Sequence, residues 1–453
     1  MHRAIVIDGA HLPAPRTTAV LIHSQASFSL LTLTMTYTNP AESPLVARFL
    51  RYTQFDTQSN FESTTSPSTD KQNVLASALI EELHALGVTN AHLGDGGVVY
   101  AHLDATPGAE AAPAVGFIAH MDTSPDAPGA DVKPQILTVT GEDLVLNANE
   151  GITFSVTQFP EILDYVGQDV IFTDGTTLLG ADDKAGIAAI MTMVETLVKN
   201  PSLPHAKIAI AFTPDEEIGR GTDHFDLEHF GAQYAYTFDG GVVGELETEN
   251  FNAGTAVLTI HGVGVHPGYA KDKMVNAVSY AAKFIDALPH DMTPERTEGY
   301  EGFIHPNSVT GSVTQAVVQM RIRDHDHDLY EAKKVLIRDL VQTFADRYPE
   351  AHFSLAIQDS YENMKPYIDR TPKVVDIVRD AFKDAGVTPI ERPIRGGTDG
   401  ARLSTIGLPC PNVFTGGLNF HGIFECLPIM SLIKAADVAT AIAKRSATIT
   451  TLK

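Results

Sequence analysis

Cysteine is scarce in this chain: Cys410 and Cys426 are the two in 453 residues. They are too few for a disulfide framework and fit a reducing compartment, the cytoplasm. Basic residues are few as well. Lys and Arg total 32 against 56 Asp and Glu, a formal net charge of -24. That balance argues against a nucleic-acid partner or an anionic membrane and favours solubility. The sequence also lacks any run of about eighteen apolar residues, so no segment reads as a membrane span. Residues 26–34 are apolar but broken repeatedly by Ser and Thr, without the clean core of a secretory leader. What is there is a 43% apolar content over a length that suits two domains and a sizeable core.

Chemistry concentrates in T-P-D-E-E-I-G, Thr213 to Gly219. Its adjacent carboxylates, Glu216 and Glu217, follow the apolar run 208–212, which Pro204 and Pro214 bound and which reads as a buried strand. The pair is thus delivered at a strand's carboxyl end, where open α/β sheets hold their ligands. Consecutive side chains on such a turn point in different directions, so one carboxylate can bind a metal while its neighbour holds a water as general base. An isolated Glu-Glu pair is more often two solvated loop acids. Company changes that reading.

The company is present. Residues 114–119 form a second apolar run that opens into His120-Met121-Asp122, a triplet that suits a metal ligand with an acid to fix its imidazole but is a weak signal alone. L-G-A-D-D-K-A-G, Leu179 to Gly186, precedes Ile187, Ile190, Met191, Val194 and Leu197 at helical spacing. Asp182 and Asp183 therefore stand at a helix start, where plain capping is an equal alternative. The run 235–238 ends in Asp239, and 412–414 leads through Gly416-Gly417 to His421.

In chain order, H-M-D, G-A-D-D-K-A-G, P-D-E-E-I-G, F-D-G-G, H-P-G-Y-A-K, R-G-G-T-D-G and F-T-G-G-x-N-x-H-G resemble the di-zinc peptidase family that contains glutamate carboxypeptidase and aminoacylase. Within it they are most similar to the tripeptide aminopeptidases, over roughly residues 45 to 445. The resemblance implies two Zn2+ per chain, or other divalent cations in their place. His120, Asp182 and Asp239 would bind one and Asp182, Glu217 and His421 the other. Asp182 is then the bridge, although the sequence alone leaves Asp183 equally eligible. Asp122 would orient His120, Glu216 would be the general base, and the Asp182-Asp183 peptide would be cis. His266, read from the sequence as a histidine in a Gly/Pro turn, would stabilise the oxyanion. Arg323, which shares a strand face with Arg321 by period 2, would grip the substrate carboxylate together with Arg395. After His421-Gly422 the family pattern tends to place another His and a Glu, whereas this chain runs Ile423-Phe424-Glu425-Cys426.

Alternating strands and helices before about residue 250 and after 364 point to a mixed, mostly parallel sheet flanked by helices. Between them, strands expected at 256–261, 303–309, 313–323 and 353–357 with helices at 275–287 and 329–345 give β-α-β-β-α-β, the ferredoxin-like order. The expected organisation is an extension at 1–44, a discontinuous catalytic domain of 45–250 and 364–453, and an inserted α+β lid at 251–363 through which a homodimer can form. The favoured activity is release of the N-terminal residue from tripeptides. A dipeptidase, carboxypeptidase or N-deacylase of the same fold would share every metal ligand, and a non-catalytic binding protein is disfavoured by the presence of Glu216 with the full ligand set. The family-like part begins near Pro44, so Met35 is an alternative start. A chain beginning there is expected to fold and cleave peptides as the full chain does; loss of either property would make residues 1–34 structural.

Overall fold

The apolar runs read from the sequence become the middle of an eight-stranded sheet. In spatial order its strands are His92–Leu93, Val99–Leu103, Ile208–Thr213, Val115–His120, Tyr234–Gly240, Asn412–Phe414, Glu245–Glu247 and Ile390–Glu391. The four from Ile208–Thr213 to Asn412–Phe414 run parallel. Ile208–Thr213 and Val115–His120 are buried at every residue, because both faces of the sheet are covered. Phe117, Ala119, Ile208, Ile210 and Phe212 share a core with helices Pro44–Tyr52, Ala181–Lys199 and Ile429–Ser446. Ile118, Ala209 and Ala211 face a smaller cluster with Phe230, Leu403 and Leu408. This is the mixed, mostly parallel sheet flanked by helices that the sequence predicts. Its parallel strands end together, which puts His120, Thr213 and Asp239 on one edge.

The computed structural model describes residues 39–453, so the expectations for residues 1–34 and a start at Met35 lie outside the described residues. The boundary drawn at 44 falls inside ordered structure. Asn39 caps the short helix Pro40–Glu42, and Ser43 caps Pro44–Tyr52 by accepting the Val46 N–H at 3.2 Å.

Between residues 121 and 178 the sequence reading offered no elements, and the structure has several. Gln135–Thr138, Asp169–Phe172 and Leu427–Pro428 make a three-stranded sheet, and Leu144–Asn147 pairs with Ile152–Phe154. Two to four residues are too few to show a period. Phe154, Ile162 and Phe172 form their core, against which Phe424 packs with its ring 5.2 Å from that of Phe159.

A second sheet is antiparallel throughout, in the order Phe303–Gly311, Gln315–Asp324, Asn252–His261, His352–Tyr361. With helices Ala277–Asp286 and His327–Arg347 it follows the β-α-β-β-α-β order. Leu258, Ile260, Val318, Met320 and Ile322 belong to a core shared with Phe284, Ile337 and Phe344 of those helices. Arg321 and Arg323 alternate with that buried set and face away from it. Three buried asparagines stitch the two crossings between the sheets. Asn250 Nδ2 donates to Glu362 O at 3.1 Å and its Oδ1 accepts Met364 N–H at 2.8 Å. Asn252 Oδ1 accepts Asn363 N–H at 3.0 Å, and Asn363 Oδ1 accepts Asn250 N–H at 3.2 Å.

Helix Ala181–Lys199 lies so close to the sheet edge that a Cβ on Gly186 would sit 2.0 Å from Phe238 O and 2.4 Å from Asp183 Oδ1. Gly186→Ala is therefore expected to lower stability by about 1–3 kcal/mol in urea unfolding, the usual cost of overpacking. An unchanged midpoint would show that the helix shifts at no cost.

Candidate active site

Side chains from separate motifs meet at the sheet's carboxyl edge. His120 Nε2 lies 2.8 Å from Asp182 Oδ1 and 3.4 Å from Asp239 Oδ1. His421 Nε2 lies 2.8 Å from Glu217 Oε2 and 3.2 Å from Asp182 Oδ2. The two oxygens of Asp182 thus face one imidazole each. Glu216 forms a second group with His120 and Asp239, with one donor atom from each within 4.8 Å of the others.

Asp183, which the sequence could not separate from Asp182, bonds to main-chain N–H groups. It is buried and accepts the backbone N–H groups of His120 and Gly186, each at 3.1 Å. The peptide joining the two acids is cis. Asp122 serves three groups at once. Its Oδ1 and Oδ2 accept the backbone N–H groups of Glu216 at 2.9 Å and Glu217 at 3.2 Å, and His120 Nδ1 lies 3.4 Å from Oδ1. It fixes both the imidazole and the turn carrying the two glutamates.

Burial makes these charges costly. Burial and the Asp182 charge push Glu217 up to about 8, and burial, partly offset by His120, pushes Asp239 up to about 6. Burial and the Asp239 charge raise Glu216 well above the usual carboxylate range. Burial also opposes the charge on Asp182, yet hydrogen bonds from His120 and His421 outweigh it and hold Asp182 well below that range. Bonds to Asp182 and Glu217 push His421 up to about 11. A divalent cation would bring compact positive charge among these acids. Glu217 Oε1 is buried without a hydrogen-bond partner, and carboxylates with two imidazoles are a donor set that suits such cations.

Four nearby residues escaped the sequence reading. Glu425 is buried and accepts the N–H groups of Leu179, Gly180 and Asp182 at 2.7, 2.8 and 3.0 Å. Asp126 Oδ2 lies 3.5 Å from His421 Nδ1. Asp215, at φ 58°, accepts from Ser68 N–H at 2.6 Å and Gln72 Nε2 at 2.7 Å. Asp399 accepts Thr213 Oγ1–H at 2.7 Å. Asp215 and Asp399 lie inside quoted motifs, and that was the available signal.

His266, Arg323 and Arg395 are not part of the cluster. His266 lies exposed in a turn, where its Nδ1 accepts Gly268 N–H at 3.1 Å. Arg323 Nη1 donates to Gly254 O and Ile322 O, and its guanidinium lies 5.5 Å from the Tyr361 ring centre. Arg395 donates to Gly299 O, Glu301 O, Thr297 O and Thr297 Oγ1.

The fold is that of the M20 peptidases: the YXEP protein of Bacillus subtilis, described as a dinuclear metal binding peptidase of that family, aligns with a TM-score of 0.58 at 13% identity, over 88% of this chain and 97% of that one. Residues 248–351 match the peptidase dimerisation domain family. Peptidase T of Parabacteroides distasonis is 52% identical over 88% of this chain and 98% of its own length, and peptidase T of Clostridium acetobutylicum 51% over 87% and 97%. The chain belongs to the peptidase T family, and it is a peptidase. Aminopeptidase PepT from Bacillus cereus aligns with a TM-score of 0.70 at 25% identity, over 90% of this chain and 99% of that one.

A divalent cation entering this cluster must displace protons held by the histidines and Glu217, so affinity should rise with pH. Zinc added to chelator-treated protein is expected to raise the Tm, more at about pH 8 than at about pH 6, with Asp182→Ala losing most of the rise. No shift in the parent protein at either pH would mean that the cluster does not hold cations.

Proposed function

We propose that this enzyme releases the N-terminal residue from short peptides, tripeptides above all, in the cytoplasm, with Glu216 as general base beside two divalent cations, zinc foremost. The observation that carries the reading is Asp182 turning one oxygen to His120 and the other to His421. His120, Asp182 and Asp239 would hold one cation, and Asp182, Glu217 and His421 the other. When bound, the pair supplies Lewis acidity, favouring ionisation of water and drawing charge from the scissile carbonyl.

The chain's own residues do the rest. Asp122 pins the backbone of Glu216 and Glu217, so neighbouring carboxylates take different tasks from one fixed turn. Glu216 takes a proton from the attacking water and returns it to the leaving amine. His266 stabilises the developing oxyanion, and Arg323 with Arg395 holds the substrate's terminal carboxylate. The second sheet acts as a lid, and the match of residues 248–351 to a peptidase dimerisation domain supports a homodimer formed through it. The names of the relatives support the substrate class: the Bacillus cereus neighbour is called an aminopeptidase and a Staphylococcus aureus neighbour a tripeptidase.

Two sets of measurements test this. Glu216→Gln should keep its metal and lose about 10²-fold or more in kcat, since an amide cannot accept the water's proton, while Glu217→Gln should lose metal. Reversed phenotypes would exchange base and ligand. Each added residue lengthens an extended peptide by about 3.3 Å, enough to carry its carboxylate out of bidentate reach. Free tripeptides should therefore outrun di- and tetrapeptides, and N-acetylated or C-amidated analogues should be poor. Arg323→Ala should cost most on the free-acid tripeptide. Equal rates at all lengths, or a preference for N-acyl substrates, would indicate another amidohydrolase of this fold.

A further inference from the structure

We infer that Glu425 is a positioning residue that holds His421 in register with Asp182, two ligands of one cation, an inference that rests on the two-cation reading above. Glu425 is fully buried, and its Oε2 accepts the N–H groups of Leu179 and Gly180 while Oε1 accepts that of Asp182. These amides converge at the start of helix Ala181–Lys199, where Gly180 takes φ 76°. Such a nest of N–H groups at the positive end of a helix dipole attracts an anion. Here the chain supplies its own.

The carboxylate comes from the loop that carries His421, four positions earlier. That loop is closed on itself: Leu418 N–H donates to Cys426 O at 2.9 Å and Cys426 N–H to Leu418 O at 3.0 Å. Phe424 anchors it from the other side, with its ring 5.2 Å from Phe159 and 6.0 Å from Phe154. His421 is therefore fixed relative to Glu425 by a short closed loop. Asp182 is fixed relative to Glu425 by its own N–H and by two amides just before it. The 3.2 Å approach of His421 Nε2 to Asp182 Oδ2 joins segments more than two hundred positions apart, and the Glu425 clamp ties those same segments together. A three-amide nest needs an acceptor-only group of this length. A glutamine would turn N–H groups toward N–H groups, and an aspartate is one methylene short.

The test is Glu425→Gln, with Glu425→Asp as a second variant in case the first does not fold. Zinc dissociation constants are measured by chelator competition, beside thermal unfolding of the zinc-free proteins and steady-state kinetics on a free tripeptide. The expected result is zinc binding weakened tenfold or more, the range typical when the support of a ligand is lost. The zinc-free Tm should fall only by the few degrees that unmatched N–H groups in the nest cost, and added zinc should restore kcat with KM little changed, a rescue that a merely structural role would not give. Unchanged zinc affinity in a folded variant would overturn the proposal, as would lost activity that excess zinc does not restore. If the parent protein itself binds no zinc, the two-cation reading fails first; if the parent binds two and the variant binds two as tightly, only the role of Glu425 falls.

Discussion

Burying negative charge is the constraint that the carboxyl edge of the main sheet has to satisfy. An isolated carboxylate in a packed interior is too costly to persist ionised, so each one needs protons, donors or cations. The acids here divide by which solution they use. Asp122, Asp183 and Glu425 are met by backbone N–H groups, Asp215 by Ser68 and Gln72, and Asp399 by the Thr213 hydroxyl. Asp182, Glu217 and Asp239 instead face the imidazoles of His120 or His421, and one oxygen of Glu217 faces no donor at all. The first set builds the frame and the second set is left with charge to share.

The frame depends on where the strands stop. Val115–His120 and Ile208–Thr213 pair in parallel with His120 opposite Thr213, so the H-M-D and P-D-E-E segments leave the sheet side by side. That adjacency lets Asp122 reach the backbone of both glutamates across 94 and 95 positions of sequence. Gly186 lets helix Ala181–Lys199 come close enough for Asp183 to reach the His120 N–H, since any Cβ there would strike Phe238 O. Packing density and charge placement are thus one requirement at this edge.

Much of this was legible in the sequence, and the reasons differ by element. The strands at 115–120 and 208–213 are continuous apolar runs because both faces are buried, and 256–261 alternates because one face is open. Local pattern is enough to read both. The residues that converge on the site were legible because each follows such a run or opens a helix. Three things were not legible. The short strands between 135 and 172 have no room for a period. The asparagines at the crossings bond to main-chain groups about 110 positions away, which no local pattern encodes. Glu425 stood in a loop noted for its departure from the family pattern, and its partners lie 243 to 246 positions earlier.

The same accounting separates the two arginines proposed as a carboxylate clamp. Arg395 spends both terminal nitrogens on four acceptors in residues 297–301, and its guanidinium lies 5.2 Å from the Phe251 ring centre. Hydrogen bonds to a charged group are worth about 1.5–3 kcal/mol each, so a substrate carboxylate would have to replace several at once. Arg395 thus ties the Gly-rich loop to residues 297–301 and can join the clamp only by releasing several of these bonds. Arg323 carries its two carbonyl bonds on Nη1 alone and lies against Tyr361, whose ring in turn packs so closely on Gly397 that a Cβ there would meet it at 2.7 Å. Arg323 can therefore meet a carboxylate with less of its bonding undone.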